Sequence, residues 1–139
     1  PLNIYQQPFQ TALRQYIHTL NFKNSIQIEF TEREQIQLTA DQHNQVYRIL
    51  QEIINNTIKH ANATHLMIEV GKDKTELLIR TSDDGIGYNI EKLRAANKLG
   101  LGLLGIQSRI EYLNGTISIS EKKIKGTKYN IRIPLTNES

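Results

Sequence analysis

The chain has 139 residues, enough for one domain with a hydrophobic core of its own. It contains no cysteine, which removes disulfide frameworks, thiolate zinc sites and cysteine nucleophiles, and suits a reducing, cytoplasmic setting. The net charge of +3 does not point to nucleic acid, because the densest basic stretch, Lys122-Lys123-Ile124-Lys125 with Lys128, lacks interleaved aromatics and reads as a solvated hairpin tip.

The first segment, Phe9 to Phe22, places Phe9, Leu13, Tyr16, Ile17 and Leu20 at helical spacing and predicts a short amphipathic helix. Ser25 to Thr31 then alternates Ile26, Ile28 and Phe30 against polar neighbours, the period of a half-buried strand. Asp41 stands where an N-cap is expected, and the stretch to Asn62 carries Val46, Ile49, Leu50, Ile53, Ile54, Ile58 and Ala61 on one broad apolar stripe. Strands are predicted at His65 to Gly71 and Glu76 to Ser82, joined by a hairpin tip at Lys72-Asp73-Lys74.

From Asp83 to Gly102 the periodicity gives way to glycines and polar residues, with room for a short helix at Ile90 to Asn97, so this reads as a long functional loop. Leu103, Ile106, Gln107, Ile110 and Leu113 restore a helix that stops before Asn114-Gly115. Strands Thr116 to Ser120 and Lys128 to Pro134 follow, and Thr136 to Ser139 read as a frayed tail. The pattern predicts an α+β two-layer sandwich: about five strands in a mixed sheet, with three main helices on one face. It fits one domain over residues 1–139 with its core at 9–135. No run of about 18 apolar residues occurs, and the opening residues lack a signal-peptide layout, so no direct membrane contact by this domain is expected.

Three constellations can carry chemistry. On the long helix Glu52 and Asn56 lie four residues apart on one face, with Lys59 and His60 a turn further on. Taken alone, such a polar stripe is what any surface helix carries. It nevertheless offers an amide oxygen of the kind Mg²⁺ accepts beside phosphates and water, and a carboxylate that can polarise an attacking group. Asn55 is the competing ligand, but it points about 60° away on the other flank. Asp83-Asp84-Gly85-Ile86-Gly87 follows a strand directly. Its glycines permit close approach of a ligand, and an Asp there can accept a hydrogen bond from an exocyclic amine such as that of adenine. Gly100-Leu101-Gly102-Leu103-Leu104-Gly105 opens a helix whose first amides and dipole suit an anion, and it is not a Walker loop because no Gly-Lys-Ser/Thr follows.

In order and spacing the three features resemble the GHKL ATPases, most closely the catalytic, ATP-binding domains of bacterial sensor histidine kinases, over about Val46 to Leu135. Gln51 to Ala61 resembles their N box and Asp83 to Gly87 the first glycine box. Gly100 to Gly105 with Arg109 resembles the second, and Gly126-Thr127 the last. The resemblance implies the Bergerat ATP-binding fold, with ATP and Mg²⁺ as cofactors and a two-component signalling role. By it Asn56 would ligate Mg²⁺, Glu52 would activate the phosphate-accepting group, and Asp83 would bind the adenine amino group with Thr127 close by. Gly85 and Gly87 would shape the base pocket. Gly100, Gly102, Leu103 and Gly105 would meet the phosphates, as would Lys59 and His60. Arg109, nearly two turns into its helix, is assigned to anchoring. His18, His43 and His65 belong to no motif.

Between Gly87 and Gly100 the lid is short, which resembles the kinases whose partners are response regulators with helix-turn-helix outputs. Nothing before Phe9 could form a phosphoacceptor helix pair, so the expected partners are a separate dimerisation/phosphoacceptor domain and a response regulator, within a homodimeric parent. The competing readings are a serine kinase of the anti-sigma-factor type and a nucleotide-binding interaction module without turnover.

Overall fold

The computed structural model describes residues 9–23, 26–86, 101–121 and 126–135. Helix α1 (Phe9–Lys23) leads into strand β1 (Gln27–Glu32), then helix α2 (Ala40–Asn56) with a π-helical turn at Thr57–Ala61. The hairpin β2 (His65–Asp73) and β3 (Glu76–Asp83) follows, then helix α3 (Leu101–Tyr112) and strands β4 (Thr116–Glu121) and β5 (Thr127–Pro134). The segment 87–100, where a short helix and Gly87 and Gly100 were placed by sequence, and the basic tip 122–125 lie outside the described residues.

The strands form one sheet in the order β1-β2-β3-β5-β4, with β1 parallel to β2 and every other pair antiparallel. Alternation sends Leu66, Ile68 and Val70 of β2, Leu77 and Ile79 of β3, and Tyr129, Ile131 and Ile133 of β5 into one core. There they meet Leu13 and Ile17 of α1, Val46 to Ile54 of α2 and Ile106 and Ile110 of α3. Each such apolar side chain contributes about 1.5–3 kcal/mol by leaving water, so this interdigitated layer is what makes the sheet fold onto the helices. The opposite face is wet: Arg33 pairs with Glu69 at 3.2 Å, and Arg132 with Glu76 at 3.1 Å. Exposed ion pairs of this kind contribute about 1 kcal/mol or less. The α+β sandwich with a mixed five-stranded sheet is the predicted architecture.

Two helix boundaries differ from expectation. The N-cap of α2 is Thr39, not Asp41: Thr39 Oγ1 accepts from the Gln42 N–H at 3.1 Å, and Gln42 Oε1 accepts from the Thr39 N–H at 3.0 Å. This capping box satisfies two donors at once and outcompetes a lone aspartate. Asp41 sits in the first turn and accepts from the Tyr112 hydroxyl at 2.8 Å. At the other end, α geometry stops at Asn56 rather than running to Asn62. Buried Thr57 donates its hydroxyl to the Ile53 carbonyl at 2.9 Å, and its backbone N–H is shared between the Ile53 and Ile54 carbonyls. The hydroxyl competes with the backbone for the Ile53 carbonyl and weakens the i→i−4 ladder where the π turn begins, and Asn62 closes that turn in the left-handed region at φ 50°.

Helix α3 ends as its Asn114-Gly115 pair predicts, with the two roles divided. Asn114 takes the left-handed φ of 59°, while the Gly115 N–H reaches the Ile110 carbonyl at 2.8 Å and the Asn114 N–H that of Glu111 at 2.9 Å. Gly115 serves close approach, because a Cβ there would stand 2.5 Å from the Arg132 carbonyl oxygen. Gly115→Ala is therefore expected to lower stability by about 1–3 kcal/mol, read as a reduced midpoint in thermal unfolding followed by circular dichroism.

Candidate functional site

Four elements bring their chemistry to one end of the sandwich, and the hydrogen bonds show how. Gln42, in the first turn of α2, donates to the Pro134 carbonyl at the far end of β5 at 3.4 Å. The chain leaving α2 passes through the π turn to Thr64 and His65, whose backbone N–H groups bind Asp84 just past the end of β3. So α2 crosses the helix-covered face of the sheet from the end of β5 to the end of β3, carrying Glu52 and Asn56 to that second end. Helix α3 runs back antiparallel to it. Arg109 Nη1 donates to Gln45 Oε1 at 2.8 Å and Tyr112 to Asp41, which fixes the C-terminal half of α3 beside the start of α2. The N-terminal turn of α3, with Gly102 and Leu103, consequently faces the same end as Asn56. Arg109 acts as an anchor between helices, as expected.

The sheet supplies the floor. Ser82 pairs with Lys128, so Asp83 and Thr127 stand next in register where β3 ends and β5 begins. Both are buried, at 4% and 2% exposure, and both continue the inward row of Thr81 and Tyr129. The Asp83 carboxylate is oriented by its own turn, Oδ1 accepting from the Gly85 N–H at 2.8 Å. Gly126 reaches β5 at φ 107°, a backbone conformation open to glycine, and so delivers Thr127 facing inward. The Thr127 hydroxyl oxygen is buried without a hydrogen-bond partner among the described residues, and so is that of Thr81. Orphaned buried hydroxyls call for a water or a ligand group, because each costs about 1–3 kcal/mol when left unmade.

On α2, Glu52 and Asn56 are half-buried. Asn55 is committed elsewhere: its Oδ1 accepts from the Tyr16 hydroxyl of α1 at 3.3 Å. Asn56 precedes the π turn without a side-chain capping bond, so its amide is not consumed by the helix. Among the described residues no group of three or more His, Cys, Asp or Glu could cage a metal ion. A single amide oxygen completed by phosphates and water suits Mg²⁺, which keeps much of its hydration. Lys59 and His60 are exposed on the π turn, and His18 and His65 are exposed as well, whereas His43 is buried with its ring edge-on to Phe9 at 6.4 Å.

At the helix α3 end, Gly102 and Leu103 fall in the first turn, where backbone N–H groups have no intrahelical partner. The Leu103 side chain is core, so only its amide can serve a ligand. Gly105 lies one turn in, and a Cβ built on it meets no atom within 4 Å among the described residues, so packing alone does not explain a glycine there.

Two residues were not singled out by sequence. Tyr16 lies beside the Glu52 and Asn55 flank of α2. Its phenol is pushed up in pKa, by burial first and then by the Tyr47 and Glu52 charges. Asp84 binds the start of β2 through three donors. The Thr64 hydroxyl first, then the His65 and Thr64 backbone N–H groups, hold its carboxyl well below the usual carboxylate range. Because the folded state lowers this pKa, the contribution is fully present above about pH 4 and fades as pH falls below it. The signal in the sequence was the second of two adjacent aspartates, which strand alternation turns away from the first.

Comparison with known proteins gives the family and the fold. Residues 41–137 match the family of histidine kinase-, DNA gyrase B-, and HSP90-like ATPases. The sensor histidine kinase ComP of Bacillus subtilis is 34% identical over 98 residues, covering 70% of this chain and 13% of ComP. The signal transduction histidine-protein kinase/phosphatase DegS of the same organism is 27% identical over 129 residues, covering 90% of this chain and 34% of DegS. The chain thus spans about a third or less of the length of these relatives. Among solved structures, the blue-light activated histidine kinase of Erythrobacter litoralis superposes with a TM-score of 0.79 at 18% identity, covering 96% of this chain and 47% of that one, which establishes the shared fold. Family match, relatives and fold agree, and the chain belongs to the histidine kinase-, DNA gyrase B- and HSP90-like ATPases.

Proposed function

We propose that this chain is the ATP-binding catalytic domain of a sensor histidine kinase, holding Mg·ATP where α2, β3, β5 and the start of α3 converge. The observation that carries the reading is that convergence: a buried Asp83 oriented by Gly85, a Thr127 hydroxyl beside it without a partner among the described residues, and first-turn helix amides, which have no intrahelical partner, facing the same end. Asp83 accepts from the exocyclic amine of adenine, and Thr127 takes part through a water or directly. Gly85 and Gly87 shape the base pocket. The first-turn amides around Gly102 and Leu103, with Gly100, Gly105, Lys59 and His60, carry the phosphates. Asn56 offers its carbonyl oxygen to Mg²⁺, which when bound neutralises phosphate charge. Glu52, one helical turn before Asn56, orients the acceptor imidazole and takes the proton from one ring nitrogen as the γ-phosphoryl passes from the ADP oxygen to the other, unprotonated nitrogen. The imidazole comes from a dimerisation domain, and the product phosphohistidine is passed to a response regulator.

The test is to incubate the chain with γ-labelled ATP and the dimerisation domain of its parent, then expose the product to acid and to base. Label lost in acid and kept in base supports a histidine acceptor. Acid-stable label would point to the serine-kinase reading, and nucleotide binding without any transfer to an interaction module.

Gly105 offers a second check. Alanine in a helix interior is about 0.5–1 kcal/mol more favourable than glycine, and among the described residues no atom stands within 4 Å of a Cβ at Gly105. Gly105→Ala should therefore raise the thermal midpoint while weakening Mg·ATP binding in calorimetry. Stabilisation with unchanged affinity would remove Gly105 from the phosphate site.

A further inference from the structure

Two adjacent aspartates close β3, and only the first faces the helices. The second, Asp84, clamps the loop that leaves the π turn: its Oδ1 accepts from the Thr64 N–H at 2.8 Å and the His65 N–H at 2.9 Å, and its Oδ2 accepts from the Thr64 hydroxyl. The Asp84 N–H returns a bond to the His65 carbonyl at 3.3 Å, and His65 Nδ1 lies 3.5 Å from the carboxylate. One side chain thereby joins the chain descending from Asn56 to the turn that carries Asp83. Bonds from a charged acceptor to fixed backbone donors are the stronger kind.

The consequence runs through one peptide. Asp83 Oδ1 accepts from the Gly85 N–H, so the direction of the Asp83 carboxylate depends on where that amide sits. Residue 84 links the two, and its own side chain is bolted to Thr64 and His65. We propose that Asp84 is a positioning residue for base recognition: it holds the Asp83–Gly85 turn in the one geometry that separates a 6-amino purine from a 6-oxo purine. The inference rests on the nucleotide reading above and extends it from the residue that touches the base to the residue that aims it. A carboxylate accepts from an amine but repels a carbonyl oxygen, so discrimination is sensitive to aim in a way that phosphate affinity is not.

The experiment measures dissociation constants of Mg·ATP and Mg·ITP for the 139-residue chain, well below its thermal midpoint, in five forms. Wild type should prefer ATP. Asp84→Ala should reduce that preference by about tenfold, chiefly through weaker ATP binding. Asp84→Asn should largely restore it, because its amide oxygen still accepts from Thr64 and His65. Thr64→Val removes the hydroxyl bond and keeps the backbone ones, so it should give a smaller loss of preference, and it carries the test if Asp84→Ala does not fold. Equal weakening of both nucleotides, or an unmoved ratio in the variants that fold, would overturn the proposal and leave Asp84 a purely structural clamp. A wild type that does not discriminate would also overturn it, and in that case Asp83→Asn would leave the ratio unmoved too, which locates the failure in the base-binding reading itself.

Discussion

Asp83→Asn is expected to weaken Mg·ATP binding by roughly 10- to 100-fold while leaving the chain folded. The side chain is 4% exposed at the end of β3, and its Oδ1 accepts from the Gly85 N–H. Asparagine has nearly the same shape and can keep that bond. It cannot present a second acceptor, and turns an NH₂ group towards the adenine amine instead. A buried donor facing a donor forfeits the hydrogen bond and leaves both groups unsatisfied, which is why the loss exceeds that of a simple deletion at the surface. Calorimetry with Mg·ATP reads the affinity, and circular dichroism confirms the fold. Full affinity in the variant would remove Asp83 from the base site.

The second large effect is expected at Glu52, and it separates binding from chemistry. Glu52→Gln should bind Mg·ATP within about twofold of wild type, since the residue contributes little to ground-state binding when it acts on the acceptor. Transfer to the dimerisation domain should fall by roughly 10²- to 10⁴-fold, the usual contribution of a positioned general base. The half-buried setting on α2 beside Tyr16 keeps the carboxylate near that flank without committing it to a salt bridge among the described residues. Single-turnover transfer at saturating ATP is the measurement. An undiminished rate would assign Glu52 to the surface of the helix.

Much of this was legible because the side chains repeat with the period of their element. The apolar stripe of α2 and the alternation in β2, β3 and β5 each bury the residues their spacing marks. Alternation also carries the site: Leu77, Ile79 and Thr81 face inward, so Asp83 does as well, and Asp84 does not. What escaped the sequence depended on competition between neighbours. Thr39 and Asp41 are both good caps, and the choice fell to Thr39 because Gln42 answers it three residues on, a pattern that was present to be read. The π turn had no such signal in the apolar period; it begins at Thr57, whose buried hydroxyl bonds the Ile53 carbonyl. The place of β5 between β3 and β4 is a long-range pairing that local period does not encode. Leu103 resembled a phosphate-site residue by position in its motif, yet its side chain is core and only its amide is available.

The convergence of four elements on one end of the sheet is tested most directly by following backbone amide resonances as Mg·ATP is added. Saturable shifts are expected to cluster at Asn56, Asp83, Gly85, Thr127 and the Gly102–Gly105 turn, with the wet face around Arg33, Glu69 and Arg132 unmoved. Shifts concentrated on that wet face, or none at saturating nucleotide, would contradict it.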